Sequence, residues 1–180
     1  MRVVGGVARG RRLVAPPGDT TRPTIDRVRE AIFNALWSRG VIDDARVLDL
    51  FAGSGANGVE ALSRGAAFVT FVDDDARARE AVTQNLAATG MADRAEVLAD
   101  RAERFLQRYT GPRYDLAICD PPYAFDGWDA LLAALPADLV VMETDVEPTL
   151  PEDWEVVRCT RYGRTWVTFC ASRSRQGGGE

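Results

Sequence analysis

The feature that most constrains this chain is the regular succession of short apolar runs and amphipathic stretches from Arg46 onward. Apolar, β-branched runs occur at 46–51, 67–73, 95–99, 114–119 and 139–143. Between them, at about 56–64, 75–89, 101–108 and 127–135, the pattern is helical. Strands of this composition suit burial on both faces. Strands that alternate with helices give an open parallel sheet covered by helices on both sides. The end of the chain departs from that rule. Segments 154–161 and 165–171 are joined only by Tyr162, Gly163 and Arg164, too few residues for a parallel crossover, so they form a hairpin. Ahead of the alternating region, Ile25, Val28, Ile32 and Leu36 mark another helix, which Thr24 can cap and Gly40 ends. Residues 2–15 read as a short hairpin or irregular arm turning at Gly10, and 15–24 as a turn-rich linker. The expected organisation is an arm at 1–23, an α/β domain at 24–172 and a disordered tail at 173–180. A chain of 180 residues is enough for one real core without metal or disulfide staples.

The first strand runs into Asp49-Leu50-Phe51-Ala52-Gly53-Ser54-Gly55-Ala56-Asn57-Gly58, a GxGxxG between strand and helix. Glycines there allow a tight turn and close approach of a ligand to the backbone, and the motif alone would suit a nicotinamide dinucleotide equally well. Three acids at strand ends argue otherwise. Asp49, four residues before Gly53, would repel a pyrophosphate but can pair with the ammonium of an amino-acid tail. Asp73 ends the second strand, where an acid meets ribose hydroxyls. Asp100 follows the third, within reach of an adenine amino group. A ligand with an adenosine end and a zwitterionic tail fits all three: S-adenosylmethionine. Asp74 and Asp75 have a blander reading as acids that open a helix.

Asp120-Pro121-Pro122-Tyr123 follows the fourth strand. Ligands in such sheets bind beyond the carboxyl ends of the strands, so this tetrapeptide and the glycine loop share one cleft. Prolines stiffen the backbone and remove amide donors, which leaves carbonyls to line the cleft. A carboxylate, a fixed carbonyl and an aromatic ring suit a planar amine. Its two protons are held by Asp120 and the Pro121 carbonyl, its lone pair is aimed at a methyl donor, and Tyr123 stacks on the ring. Such chemistry needs no strong base.

Composition narrows the field. There is no histidine, and all 22 basic residues are arginine. A histidine base, a P-loop lysine and a Schiff-base lysine are therefore excluded. Three widely spaced cysteines, with no CxxC, read as reduced thiols in a cytoplasmic protein, and no metal site is expected. Cys119, inside a strand, reads as core, as do Trp37, Trp128, Trp154 and Trp166, with lining of the base pocket a second reading for Trp128, which follows closely on the tetrapeptide. No apolar run is long enough to span a membrane. Residues 1–40 carry a net charge of +5 and the remainder −10. A basic arm on an acidic body points to a polyanion meeting the arm. Arg2, Arg9, Arg11, Arg12 and Arg22 are the candidate phosphate contacts, whereas Arg27 and Arg29 read as a solvated helix face. Deleting residues 1–18 is expected to leave cofactor affinity unchanged and to weaken methylation of RNA.

Taken together, RVVGGVARGRRL, TRPTIDRVREAIFNAL, VLDLFAGSGANGVEALSRGA, FVDDDARA, DPPY and YGRTWVTF resemble the class I S-adenosylmethionine-dependent methyltransferases. More closely they resemble the RsmD family, which methylates the N2 amine of guanine 966 in bacterial 16S ribosomal RNA. The resemblance spans about residues 2–170. It implies a Rossmann-like, seven-stranded, mostly parallel sheet with an antiparallel last strand. It implies S-adenosylmethionine contacts at Asp49, Phe51, Gly53, Ser54, Gly55, Asp73, Asp74, Asp100 and Arg101, with S-adenosylhomocysteine as product. Catalytic contacts fall at Asp120, Pro121, Pro122 and Tyr123, and the arm is an RNA-binding extension. The expected partner is 16S RNA within a 30S subunit or assembly intermediate, and the expected protein is a monomer. Asn57 stands where the family more often has an apolar residue. Competing readings are an amino-methyltransferase for adenine N6 or cytosine N4, a protein amino-methyltransferase, a nicotinamide dehydrogenase and a non-catalytic RNA-binding module.

Overall fold

The computed structural model describes residues 1–17, 23–122 and 125–173, with backbone alone at 23–25. The elements run α1 (Pro23–Ser38), β1 (Arg46–Leu50), α2 (Ala56–Ser63), β2 (Phe68–Asp73), α3 (Ala76–Thr89), β3 (Ala95–Ala99), α4 (Ala102–Arg108), β4 (Tyr114–Cys119), α5 (Trp128–Ala134), β5 (Ala137–Thr144), β6 (Trp154–Tyr162) and β7 (Thr165–Ser172). One seven-stranded sheet has the order β3-β2-β1-β4-β5-β7-β6. β1 to β5 are parallel, and β7 runs antiparallel to both β5 and β6. The expected antiparallel last strand is thus present. Tyr162 pairs with Thr165, so the hairpin turns on Gly163 and Arg164 alone, and Gly163 takes the positive φ of 63° that such a turn requires.

Alternation along the strands sorts the core into two layers. Val47, Leu116, Ile118, Val141, Val167 and Phe169 face α1, α2 and α3. Leu48, Leu50, Ala117, Cys119, Val140 and Met142 face α4 and α5. β1 and β4 are buried on both faces, as their apolar runs predict. β3 is not: it is the outer strand of the sheet, and its residues are half-buried or exposed. Trp154 is core and donates its Nε1–H to the Leu132 carbonyl at 3.1 Å. Trp37, expected in the core, is 59% exposed on α1.

The first residues form a docked hairpin closed by an Arg2–Arg12 bridge. Val3, Ala8 and Leu13 are buried in the layer of α1, α2 and α3. Glu60 of α2 accepts from the amides of Val4 and Gly5 at 2.7 and 2.8 Å, and Ser63 Oγ accepts from the Ala8 amide at 3.0 Å. Asn85 of α3 grips Val14 from both sides, accepting its amide at 2.8 Å and donating to its carbonyl at 2.9 Å. Arg29, expected to be solvated, is 3% exposed. It pairs with Asp26 and donates to the Arg2 carbonyl. Burial of a guanidinium is tolerated there because an acid and a carbonyl meet it.

Candidate active site

β1 and β4 are neighbours, with Leu50 opposite Cys119, and the next strands lie on opposite sides of this pair. That reversal opens a crevice at the carboxyl ends, where such sheets take their ligands. The glycine loop leaves β1 into the crevice, and Asp120-Pro121-Pro122 leaves β4 beside it. Tyr123 lies outside the described residues, as do Arg22 and the 174–180 part of the tail.

The loop is shaped by left-handed backbone at Phe51 (φ 64°), Gly53 (φ 54°) and Gly55 (φ 72°). At Gly53 a Cβ would find nothing within 4 Å, so the backbone is open to a ligand there. Gly58 has the opposite reason. A Cβ on it would lie 2.2 Å from Phe71 Cε1, so α2 rests directly on β2. Asp49 Oδ2 accepts from the Gly58 amide at 2.8 Å, which ties the end of β1 to the first turn of α2. Asp73 accepts from the loop at one oxygen, from the Gly53 amide at 2.8 Å, and from the Asp75 amide ahead of α3 at the other, at 2.9 Å. Asn85 Nδ2 donates to the Ser54 carbonyl at 2.8 Å, and Ser54 Oγ lies 3.8 Å from Met1 Sδ.

Asp49 is 2% exposed, and burial, aided by the charges of Asp120 and Asp73, pushes its carboxyl up to about 8. Such a group is a poor anion until a cation arrives, which fits the ammonium end of S-adenosylmethionine. The open Gly53 backbone fits a ligand passing close by. Asp75 caps α3 by accepting from the Arg77 amide at 2.8 Å. Asp74 lies 3.8 Å from the Arg101 Nε on the surface. Asp100 accepts from Arg104 and from the Arg101 amide, and the Arg104 guanidinium holds its carboxyl below the usual range.

One acid of this crevice was missed by the sequence reading. Glu143 ends the apolar run of β5, the same signature that drew attention to Asp49 and Asp120. It shares a face with Val141, as Asp49 does with Val47. On the opposite face, Phe51 meets Phe125 edge-on at 5.4 Å, and Phe125 meets Trp128 at 5.3 Å. That chain of rings joins the glycine loop to the segment following the lip. Cys119 is fully buried and its thiol is pushed up by burial, so it is core, not a nucleophile. Among the described residues no cluster suited to a metal ion occurs, and no helix is long and apolar enough to cross a membrane. Arg2, Arg9, Arg11 and Arg12 are all exposed on the docked hairpin, and Arg2 also donates to the Gly10 carbonyl at 2.9 Å.

Residues 1–171 match the family model described as conserved hypothetical protein 95. Ribosomal RNA small subunit methyltransferase D of Escherichia coli strain K12 is 39% identical over 173 residues, covering 88% of this chain and 83% of that protein. A solved structure from Escherichia coli is 37% identical with a TM-score of 0.83, covering 96% of this chain and 97% of that one. Magnesium protoporphyrin IX methyltransferase of Synechocystis PCC 6803, solved with S-adenosylmethionine bound, has a TM-score of 0.68 at 14% identity, covering 86% of each chain, a likeness of fold alone.

Proposed function

This chain belongs to the conserved hypothetical protein 95 family, the RsmD methyltransferases, and we propose that it transfers a methyl group from S-adenosylmethionine to the N2 amine of a guanine in small-subunit ribosomal RNA. The observation that carries the reading is the meeting of a glycine loop and a Asp-Pro-Pro lip on adjacent strands at the reversal point of the sheet. When bound, S-adenosylmethionine supplies an electrophilic methyl on a sulfonium. Asp49 pairs with its ammonium, Asp73 with its ribose and Asp100 with its adenine amine, while the backbone from Phe51 to Gly55 lines its path and Asp74 and Arg101 border it. Asp120 and the Pro121 carbonyl accept the two protons of the guanine amine, Pro122 stiffens the lip and Tyr123 covers the base. Much of the acceleration is positional. The proton leaves to water after transfer. The RNA is met as a 30S subunit or assembly intermediate, in the cytoplasm, by a monomer.

Transfer of labelled methyl to 30S particles and to naked 16S RNA, followed by nucleoside analysis, tests this. N2-methylguanine is expected, and labelled N6-methyladenine or N4-methylcytosine instead would overturn the assignment.

Asp49 makes cofactor affinity depend on pH. Its carboxyl holds a proton up to about 8 in the empty protein, far above its value in the unfolded chain. Folding therefore favours the protonated form, and the cost of ionising Asp49 rises as pH falls below that value. S-adenosylhomocysteine carries the same ammonium. Its association constant is expected to rise by about tenfold per pH unit from roughly pH 6 to 7.5 and then level. Titration calorimetry reads this, Asp49→Asn should flatten the profile, and a flat wild-type profile counts against the pairing.

The arm calls for a different test from deletion. Removing residues 1–18 would uncover the core around Val3, Ala8 and Leu13 and strip Glu60, itself 0% exposed, of its amide donors. Cofactor affinity would not survive that unchanged. Replacing Arg9, Arg11 and Arg12 together by Gln removes charge and keeps the dock. The expected result is a raised KM for RNA, an unchanged affinity for S-adenosylhomocysteine, and a log–log salt slope shallower by about 2. An unaltered slope would remove the arm from the RNA interface.

A further inference from the structure

Asp120 and Glu143 stand one step beyond the paired Cys119 and Met142 on neighbouring strands. Adjacent strands lie about 4.8 Å apart, Glu143 falls on the face of Val141, and the charge of Asp120 acts on it, so the two acids face one part of the crevice. Glu143 is half-buried and not sealed off. The charges that face it are those of Asp120 on β4, Asp49 on β1 and Arg29 on α1, while its partner on β7 is the uncharged Val167. Burial and the two aspartates hold its carboxyl well above the usual range against the opposing pull of Arg29.

We propose that Glu143 reads the target base by accepting N1–H of a guanine whose amine is held at Asp120. The inference rests on the reading of the site as a guanine-N2 methyltransferase and adds the residue that selects the base. The order of groups along the edge decides it. Beside its amine, guanine offers a donor, N1–H, which a carboxyl oxygen of Glu143 accepts. Adenine offers an acceptor and then a C–H. Cytosine offers two acceptors, one of which would face the carbonyl lone pairs of Glu143. Only guanine presents a donor to Glu143, and a site built for that bond penalises a base that leaves it unmade.

2-Aminopurine separates the amine from the rest of the edge, since it keeps the 2-amine but has a lone pair at N1 and no O6. The modified guanine is first mapped by nucleoside analysis. A 16S RNA fragment is then made with guanine, 2-aminopurine or 1-methylguanine at that position, and single-turnover rates are measured. Wild-type protein should prefer guanine to both analogues by about tenfold or more. Glu143→Gln keeps an acceptor oxygen and should keep the preference. Glu143→Leu should bring the guanine and 2-aminopurine rates to within about twofold of each other. Thermal unfolding and S-adenosylhomocysteine binding check that the variants fold. A wild-type protein indifferent to 2-aminopurine overturns the proposal without any variant. So does a Leu variant slowed equally on both bases with the preference intact, or loss of the preference in Glu143→Gln. Methylation mapped to adenine or cytosine would instead bring down the guanine-N2 reading and this inference with it.

Discussion

Asp120→Ala is expected to slow methyl transfer to ribosomal RNA by about 1,000-fold in single-turnover measurements while S-adenosylhomocysteine binds within about twofold of wild type. The effect originates at the amine. Its lone pair is delocalised into the ring, and a carboxylate that accepts one of its protons both fixes the nitrogen and restores electron density to it. Alanine leaves the Pro121 carbonyl alone to hold a group with two donors. Stability should not fall, because Asp120 is exposed and its charge burdens Asp49 and Glu143. Removing that charge lowers the Asp49 carboxyl from its value of about 8, so the variant should gain stability above neutral pH, where the wild type pays for ionising that buried acid. Differential scanning calorimetry across pH and a labelled-methyl assay read the two halves. Full activity in the variant would end the proposed mechanism.

The largest structural effect should come from Gly58→Ala. The added Cβ would meet Phe71 at 2.2 and 2.5 Å and Val69 Cγ1 at 2.9 Å, and both residues are 0% exposed with no space to move into. Overpacking of this kind costs about 3 kcal/mol. For a domain of this length that is a fall in melting temperature of roughly 6–12 °C. Displacing the Gly58 amide also costs Asp49 its hydrogen bond, so cofactor affinity should drop together with stability. Gly53→Ala is the matched control. It has open space and only the strain of a positive φ, so it should cost about 1 kcal/mol of stability yet obstruct the cofactor. Equal melting temperatures for the two variants would contradict the packing account.

The sheet was legible because its strands are local objects. The run at Leu116–Cys119 is apolar throughout, that at Val47–Leu50 is broken only by Asp49, and the helices between the strands have their own period. The crevice was legible for a related reason: each strand that enters it ends in an acid or a glycine loop. Glu143 follows the same rule and could have been found by it. What could not be read was the docking of the first residues. Glu60, Ser63 and Asn85 look like ordinary polar helix positions, and their partners are 55 to 71 residues away. No window of sequence contains both halves. Arg29 misled for the same cause, since its acid neighbour Asp26 is local but the Arg2 carbonyl it reaches is not.

That docking has a consequence for how a target is chosen. Because Asn85 clamps Val14 and the Ser54 carbonyl with one side chain, the arginine-bearing hairpin and the cofactor loop are parts of one stiff body. On the proposed reading, phosphates gripped at one end and a base admitted at the other would be separated by an invariant span. The enzyme would then work as a pair of fixed callipers, and a base would qualify by standing at the correct distance from its own backbone ridge, whatever letters lie between.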